Sequence, residues 1–398
     1  MRGLITTPRS GGLLRKAIAA SAFTLVVAAC GGDLTQTTAL PGGTDPPSGT
    51  TGTGAPSATT QPDTGEPRQL EVDIETILGF EGFGLAVDGT TIWMTDRENG
   101  VIRSVDTATG EVGPDIIVER DPVGIAVDGG EVWVANSNAG DHTVMKIDAA
   151  TGELLATIET EPGTGPTGVA LTDDYAWVAI GVRGGVAQID RATGELLRVI
   201  ATEEGPGSAG DRIDVVAIGD TVWSVDRWCG RVLRIDATTG EIASIHDDLG
   251  YSSTEPDCLG SVEADGALRI AEFAGGIFVF ADVVVEDLGH VRRISRIDIA
   301  TDEVVPLIDI ALRPTLSGPL GQPAFVVTDL GIWFSMGNYS ARMDRETGRV
   351  DFVVYDPDYS VVAFAVVGDT MWHAVTDRDG DSGLYGVDRV EADAAAGG

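Results

Sequence analysis

Between Leu70 and Glu391 apolar and polar residues alternate in short segments broken by Gly, Asp and Thr, the pattern of half-buried strands and not of a helix. One segment type recurs with an indole at its centre: Ile92-Trp93-Met94, Val132-Trp133-Val134, Ala176-Trp177-Val178, Val222-Trp223-Ser224, Ile332-Trp333-Phe334 and Met371-Trp372-His373. Leu268-Arg269-Ile270 falls in the long gap between Trp223 and Trp333 and reads as a seventh copy with Arg in the Trp place. Ahead of each copy stands another alternating segment and a tight turn, as in Gly84 to Asp88 before Gly89 and Gly124 to Asp128 before Gly129. Asp-Gly between two such segments signals a hairpin, because both turn positions tolerate positive φ. Behind each copy a third segment ends in Asp106, Asp148, Asp190, Asp236, Asp298, Asp344 or Asp388, and Thr-Gly pairs such as Thr109-Gly110 and Thr151-Gly152 then turn the chain into a fourth. These acids are turn builders: the carboxylate accepts backbone N–H groups while Gly takes the left-handed position.

Four strands per unit, seven units and a spacing of about 40 residues predict an all-β chain folded as a seven-bladed β-propeller with four-stranded blades. The last unit reaches Asp388 and trails into Ala and Gly, without a good outer strand, whereas Leu70 to Leu78 is a good strand with no blade of its own. The N-terminal segment is therefore predicted to close the last blade, leaving no open edge. In blade five, Arg269 to Asp298 is about 15 residues longer than its counterparts, and Gly276 to Ala281 with Val283 to Val285 predicts an inserted hairpin.

Val132 to Asn136, Val144 to Asp148 and Thr151-Gly152 stand closest to the "strand, V-A-N, I-D, T-G" pattern, and over residues 70–391 the repeats resemble the NHL and YVTN-type propeller family. The resemblance implies architecture more than activity, since one fold hosts enzymes and binding proteins alike. A more distant resemblance is to virginiamycin B lyase-like propellers, which place a His and a Glu over the central pocket. Their Trp-Phe-Thr-Glu motif is here Trp333-Phe334-Ser335-Met336, so the pair has no counterpart, and His142 is left as the nearest candidate base.

The chain ends add a location. Arg2, Arg9, Arg15 and Lys16 precede an apolar run from Ala17 to Val27 that is too short to span a bilayer, followed by Ala28-Ala29-Cys30. Residues 1–29 read as a signal peptide, and Cys30 resembles the lipidated cysteine of bacterial lipoproteins. Residues 30–69, rich in Gly, Thr, Pro and Ser, read as a disordered tether, and residues 392–398 as a disordered tail. The predicted product is a monomer outside the cytoplasm, anchored to the bacterial cell membrane through Cys30 alone. Of 26 Lys and Arg and 62 Asp and Glu, cleavage removes four basic and no acidic residues, leaving a charge of −40 that excludes nucleic acid as a partner.

Candidate chemistry concentrates where second-to-third loops and interblade connections emerge on one face. Cys229 and Cys258 lie in adjacent loops of that face and, in an oxidising compartment, form an expected disulfide. Asp377, Asp379 and Asp381 stand at alternate positions of a loop with Gly380 and Gly383 and could wrap Ca2+ with oxygen ligands. Counting three residues beyond each Trp place gives the acids and amide Asp96, Asn136, Asp226 and Glu272 at one level of the channel, with Glu81 entering blade one. Two functions follow from these residues. The first is a module that binds a protein, a glycan or a small molecule on the loop-rich face. The alternative is a metal-dependent lyase or lactonase built on the acidic ring, as the gluconolactonase-like propellers are.

Overall fold

The computed structural model describes residues 27–28, 68–70, 76–77, 82–137, 142–161, 164–181, 185–201, 214–226, 230–246, 249, 268–285, 289–311, 324–329, 331–336, 339–345, 350–355, 359–377 and 382–388. Seven antiparallel sheets follow one another along the chain, six built on a meander of four strands in sequence order and the seventh on three such strands with Thr76–Ile77 as the fourth. In blade two the strands are Pro122–Asp128, Glu131–Asn136, Thr143–Asp148 and Leu154–Glu159. Blades one, three and four start at Gly82–Asp88, Pro166–Leu171 and Val215–Ile218, and blades five to seven at Leu268–Phe273, Phe325–Thr328 and Tyr359–Val367. The chain is a seven-bladed β-propeller. No helix among the described residues is long and apolar enough to cross a membrane.

The indoles sit where the alternation put them. Trp133, Trp177, Trp223 and Trp333 are fully buried on second strands, packed among aliphatic residues of their own and adjacent blades. Flat side chains suit this place because each sheet is covered on both faces and interior packing leaves no voids. Hydroxyls clasp neighbouring blades. Thr95 Oγ1 accepts from Gly84 N at 2.8 Å and donates to the Val123 carbonyl of blade two at 3.3 Å; Ser335 does the same between Ala324 N and the Val361 carbonyl, at 2.7 and 3.2 Å.

The third-to-fourth turns are built as read. Asp148 Oδ1 accepts from Ala150 N, Thr151 N and Thr151 Oγ1, and Asp106, Asp190, Asp236 and Asp298 are bonded by the same Thr position. Hydrogen bonds from those threonines hold all five carboxyls below their ordinary range. Blade five turns without glycine: Asp302 takes the left-handed place at φ 58°, a conformation Asp tolerates better than most residues.

Blade five corrects two expectations. Leu268–Phe273 is its first strand, and Gly276–Val285 is the second, so Phe278 and not Arg269 holds the Trp place. The extra length is no inserted hairpin. It lengthens the second strand and its partner Gly289–Asp298 to ten residues each.

Ring closure is as predicted but shorter. Thr76–Ile77 pairs antiparallel with the third strand of blade seven, Thr76 opposite Leu384 and Ile77 opposite Gly383. Leu70 is elsewhere: Arg68–Leu70 runs parallel to the outer strand of blade six. The chain's beginning thus covers the outer edges of two consecutive blades. Val27–Ala28 pairs with the outer strand of blade five, within the segment that the sequence assigns to the signal peptide.

Candidate functional site

The innermost ring of the propeller is set by one offset. Nine residues before each Trp or Phe place lie Gly84, Gly124, Gly168, Asp214, Arg269, Ala324 and Ala363, all on or just ahead of first strands. Blades one to three carry glycine here because the blades touch. A Cβ on Gly84 would lie 2.3 Å from the Val123 carbonyl oxygen, and one on Gly124 2.2 Å from that of Thr167. Blades six and seven carry alanine. Only blades four and five place long polar side chains in the ring, and these two meet.

Arg269 Nε donates to Asp214 Oδ2 at 2.5 Å, and Ile270 N donates to the same oxygen at 3.3 Å. Their side chains are 7% and 13% exposed, so the pair is screened little by solvent. The guanidinium is only partly used: Arg269 Nη1 is buried and has no hydrogen-bond partner. Both residues line a cavity of about 150 Å3 whose other walls are Gly84, Leu85, Gly124, Ile125, Thr167, Gly168 and Val169. Glycine and aliphatic residues around one buried ion pair make a small pocket whose exposed lining is mainly polar, an arrangement suited to recognition. A guanidinium stays protonated and cannot act as a base.

Of the residues expected at one level of the channel, Asp96, Asn136 and Asp226 each end a second strand, and Glu272 does not share that level. Asp96 is fully buried and spent on its own loop, accepting from Asn99 N at 3.0 Å and Asn99 Nδ2 at 2.8 Å. Asn136 is also fully buried, its Nδ2 donating to Thr143 Oγ1 at 3.2 Å, while its Oδ1 has no partner. Glu272, counted from Arg269, is misplaced by the register of blade five. It lies opposite Ile277 beside the first hairpin turn, at the other end of the strands from Asp96, and is exposed. Asp226 and Asp377 end the second strands of blades four and seven. Glu81, Asp379, Asp381, Cys30, Cys229 and Cys258 lie outside the described residues. His142 is half-buried at φ 40°, its carbonyl accepting from Thr160 N and Oγ1 and its Nδ1 from Gly165 N at 3.4 Å, so it braces a loop.

No protein-family model matches the chain, and no curated protein does. Solved structures do. A chain of the Kuenenia stuttgartiensis hydrazine synthase superposes with a TM-score of 0.59 at 14% identity, over 80% of this chain and 97% of that one. Virginiamycin B lyase from Staphylococcus aureus gives 0.55 at 13%, over 79% and 97%. The likeness is one of fold. At such identity it assigns no residue a role.

On the opposite face a cleft between blades two and three is lined by Glu131, Asp173, Asp174, Tyr175, Asp190 and Arg191. Its charges are committed to each other. Arg191 bridges to Glu131 at 2.9 Å and Asp128 at 2.7 Å, and Lys146 to Glu131 at 2.7 Å. Burial alone would raise the Glu131 carboxyl, but hydrogen bonds from Lys146 and Arg191 outweigh it and hold the group below its ordinary range. This network clamps two blades together.

Sequence reasoning missed Arg269 and Asp214 because it assigned Leu268–Phe273 to the wrong strand. The signal was present: Gly276-Ile277-Phe278 repeats Gly331-Ile332-Trp333, and the nine-residue offset from Phe278 leads to Arg269.

Proposed function

We propose that the chain is a ligand-recognition module, held outside the cytoplasmic membrane by a lipid on Cys30, that seats a ligand in the mouth of its central channel. The observation that carries the reading is the Asp214–Arg269 pair, the one place in the seven-position ring where the fold sets charged side chains. A buried ion pair contributes little or nothing net to stability against apolar residues of similar size, so its presence where Gly and Ala otherwise line the ring supports a binding role. The ring lies toward the ends of the first strands where interblade connections enter, which is the face on which the sequence concentrates its loops. The −40 charge of the mature chain repels anionic surfaces and keeps the tethered propeller in solution.

A thermal-shift fragment screen of the mature chain tests this. Channel ligands are expected to raise the unfolding midpoint of the native protein and to lose the effect in Arg269→Lys. Hits that ignore this substitution would place binding elsewhere. Calcium-dependent lactone turnover abolished by Asp226→Ala would replace the reading with that of a metal-dependent lyase or lactonase.

A further inference from the structure

We propose that the outer edge of blade two is a docking site for an extended segment of a partner protein, one that carries basic and apolar residues and adds to the blade as a fifth strand. The site lies on the rim of the propeller and does not depend on the channel. The rim is where the protein shows apolar surface: among the described residues the exposed large apolar side chains stand on outermost strands, as Ile117 does in blade one, Leu154 and Leu155 in blade two, Leu197 in blade three and Ile245 in blade four. The chain covers the outer edges of blades six and seven with its own segments. Blade two ends in Leu154–Glu159, and among the described residues no strand pairs with its outer side.

An open edge is a template for another strand, and proteins blunt such edges with Pro, basic side chains or shortened strands. The neighbouring blades do so. The outer strand of blade one is split into Glu111–Val112 and Ile116–Ile117, that of blade three carries Arg198, that of blade four is the shorter Ile242–His246, and that of blade five carries Pro306. Leu154–Glu159 has only the bulge at Leu155 and a charge at its last residue, and Leu154 and Leu155 are 49% and 50% exposed.

Its backbone is set for pairing. Thr160 N donates to the His142 carbonyl at 2.9 Å, so the ladder bonds to the third strand fall on that pair, on Ile158 opposite Val144 and on Ala156 opposite Lys146. Thr157 and Glu159, between them, turn their N–H and C=O groups outward. Blade six shows the same edge occupied. The bulge follows Lys146 in blade two and Arg342 in blade six, so Thr157 corresponds to Val353, which takes Gln69 in parallel pairing. The occupant there is Arg68-Gln69-Leu70, with a basic and an apolar residue flanking the central one. Charge favours such an occupant on blade two as well: Glu153, Glu159 and Glu161 are exposed along the edge, and no Lys or Arg occurs between Lys146 and Arg183. Basic residues of an added strand meet these carboxylates while its apolar residues cover the leucines, and an acidic strand is repelled.

The test is fluorescence anisotropy of the mature protein with two fluorescein-labelled hexapeptides, Arg-Val-Lys-Val-Arg-Val and its charge-reversed form Glu-Val-Asp-Val-Glu-Val. The basic peptide is expected to bind saturably and the acidic one not. Thr157→Pro removes an outward donor and leaves the ladder bonds of Ala156 and Ile158 in place, and is expected to weaken the basic peptide at least about tenfold. Glu159→Lys, at an exposed side chain, is expected to weaken it about threefold with the unfolding midpoint unchanged. No saturable binding of the basic peptide, or binding that neither substitution weakens, would overturn the proposal. Equal binding of both peptides would overturn the basic chemistry of the occupant, and a native dimer that Thr157→Pro dissociates would overturn the partner protein in favour of a second copy.

Discussion

Gly124→Ala is expected to destabilise the propeller by about 3 kcal/mol, the upper part of the usual range for overpacking a core. The added methyl would stand 2.2 Å from the Thr167 carbonyl oxygen and 2.9 Å from Gly168 Cα. Both are backbone atoms of blade three, with no rotamer to yield, so the blades must part at the axis. Gly89→Ala is the control. Gly89 has φ 59° and open space around it, so alanine there meets only the left-handed strain of about 1–2 kcal/mol. Urea unfolding of the two variants separates packing from backbone conformation. Equal losses would contradict the close approach of the first strands.

Acid is expected to destabilise the protein through His373 before any carboxylate responds. The ring is fully buried in blade seven, edge-on to Trp333 and Phe364 at 5.5 and 5.0 Å, with Nδ1 donating to the Met371 carbonyl at 3.3 Å. Burial pushes its pKa down to about 3, against the weaker upward pull of that carbonyl. The unfolded chain takes up a proton near pH 6.5 and the native chain only near 3. Between those values the unfolded state binds more protons, so stability falls as pH falls, by about 1.4 kcal/mol per unit. From pH 6.5, where the unfolded imidazole is half-protonated, to 4.5 the loss is about 2 kcal/mol. The turn carboxyls work in a lower window: held below their usual range, they contribute stability above their unfolded pKa and lose it only as pH falls past that value. His373→Phe keeps an aromatic ring in the slot and is expected to flatten the profile between pH 6.5 and 4.5. A native protein whose unfolding midpoint does not move over that interval would contradict the neutral, buried assignment.

Most of the architecture was legible because it repeats. A flat aromatic at the centre of the second strand is demanded by a position that occurs seven times, and Asp with Thr by a third-to-fourth turn that recurs from blade to blade. Blade five failed where the repeat was read too literally. The search for tryptophan passed over Phe278, a smaller flat side chain that fills the same slot, and settled on Arg269 in a strand whose alternation looks alike. That slip carried Glu272 to the wrong end of its blade. The acidic residues were also overread: Asp96 binds its own loop because a carboxylate at a strand end finds backbone and side-chain donors three residues on before it finds a ligand. Pairing between first strands of adjacent blades was not legible at all from local pattern. Asp214 and Arg269 are 55 residues apart and meet only because successive first strands converge on one axis.

The ring closed by the chain's own beginning is the claim on which every placement above depends, and a paired-cysteine experiment tests it most directly. Ile77→Cys with Gly383→Cys places thiols on directly opposed residues of blade seven, whereas Gln69→Cys with Gly383→Cys places one on blade six, where Gln69 pairs with Val353. The account predicts a disulfide between residues 77 and 383 under mild oxidation, identified by peptide mass, and none between 69 and 383. A link absent from the first pair, or formed equally by both, would contradict it.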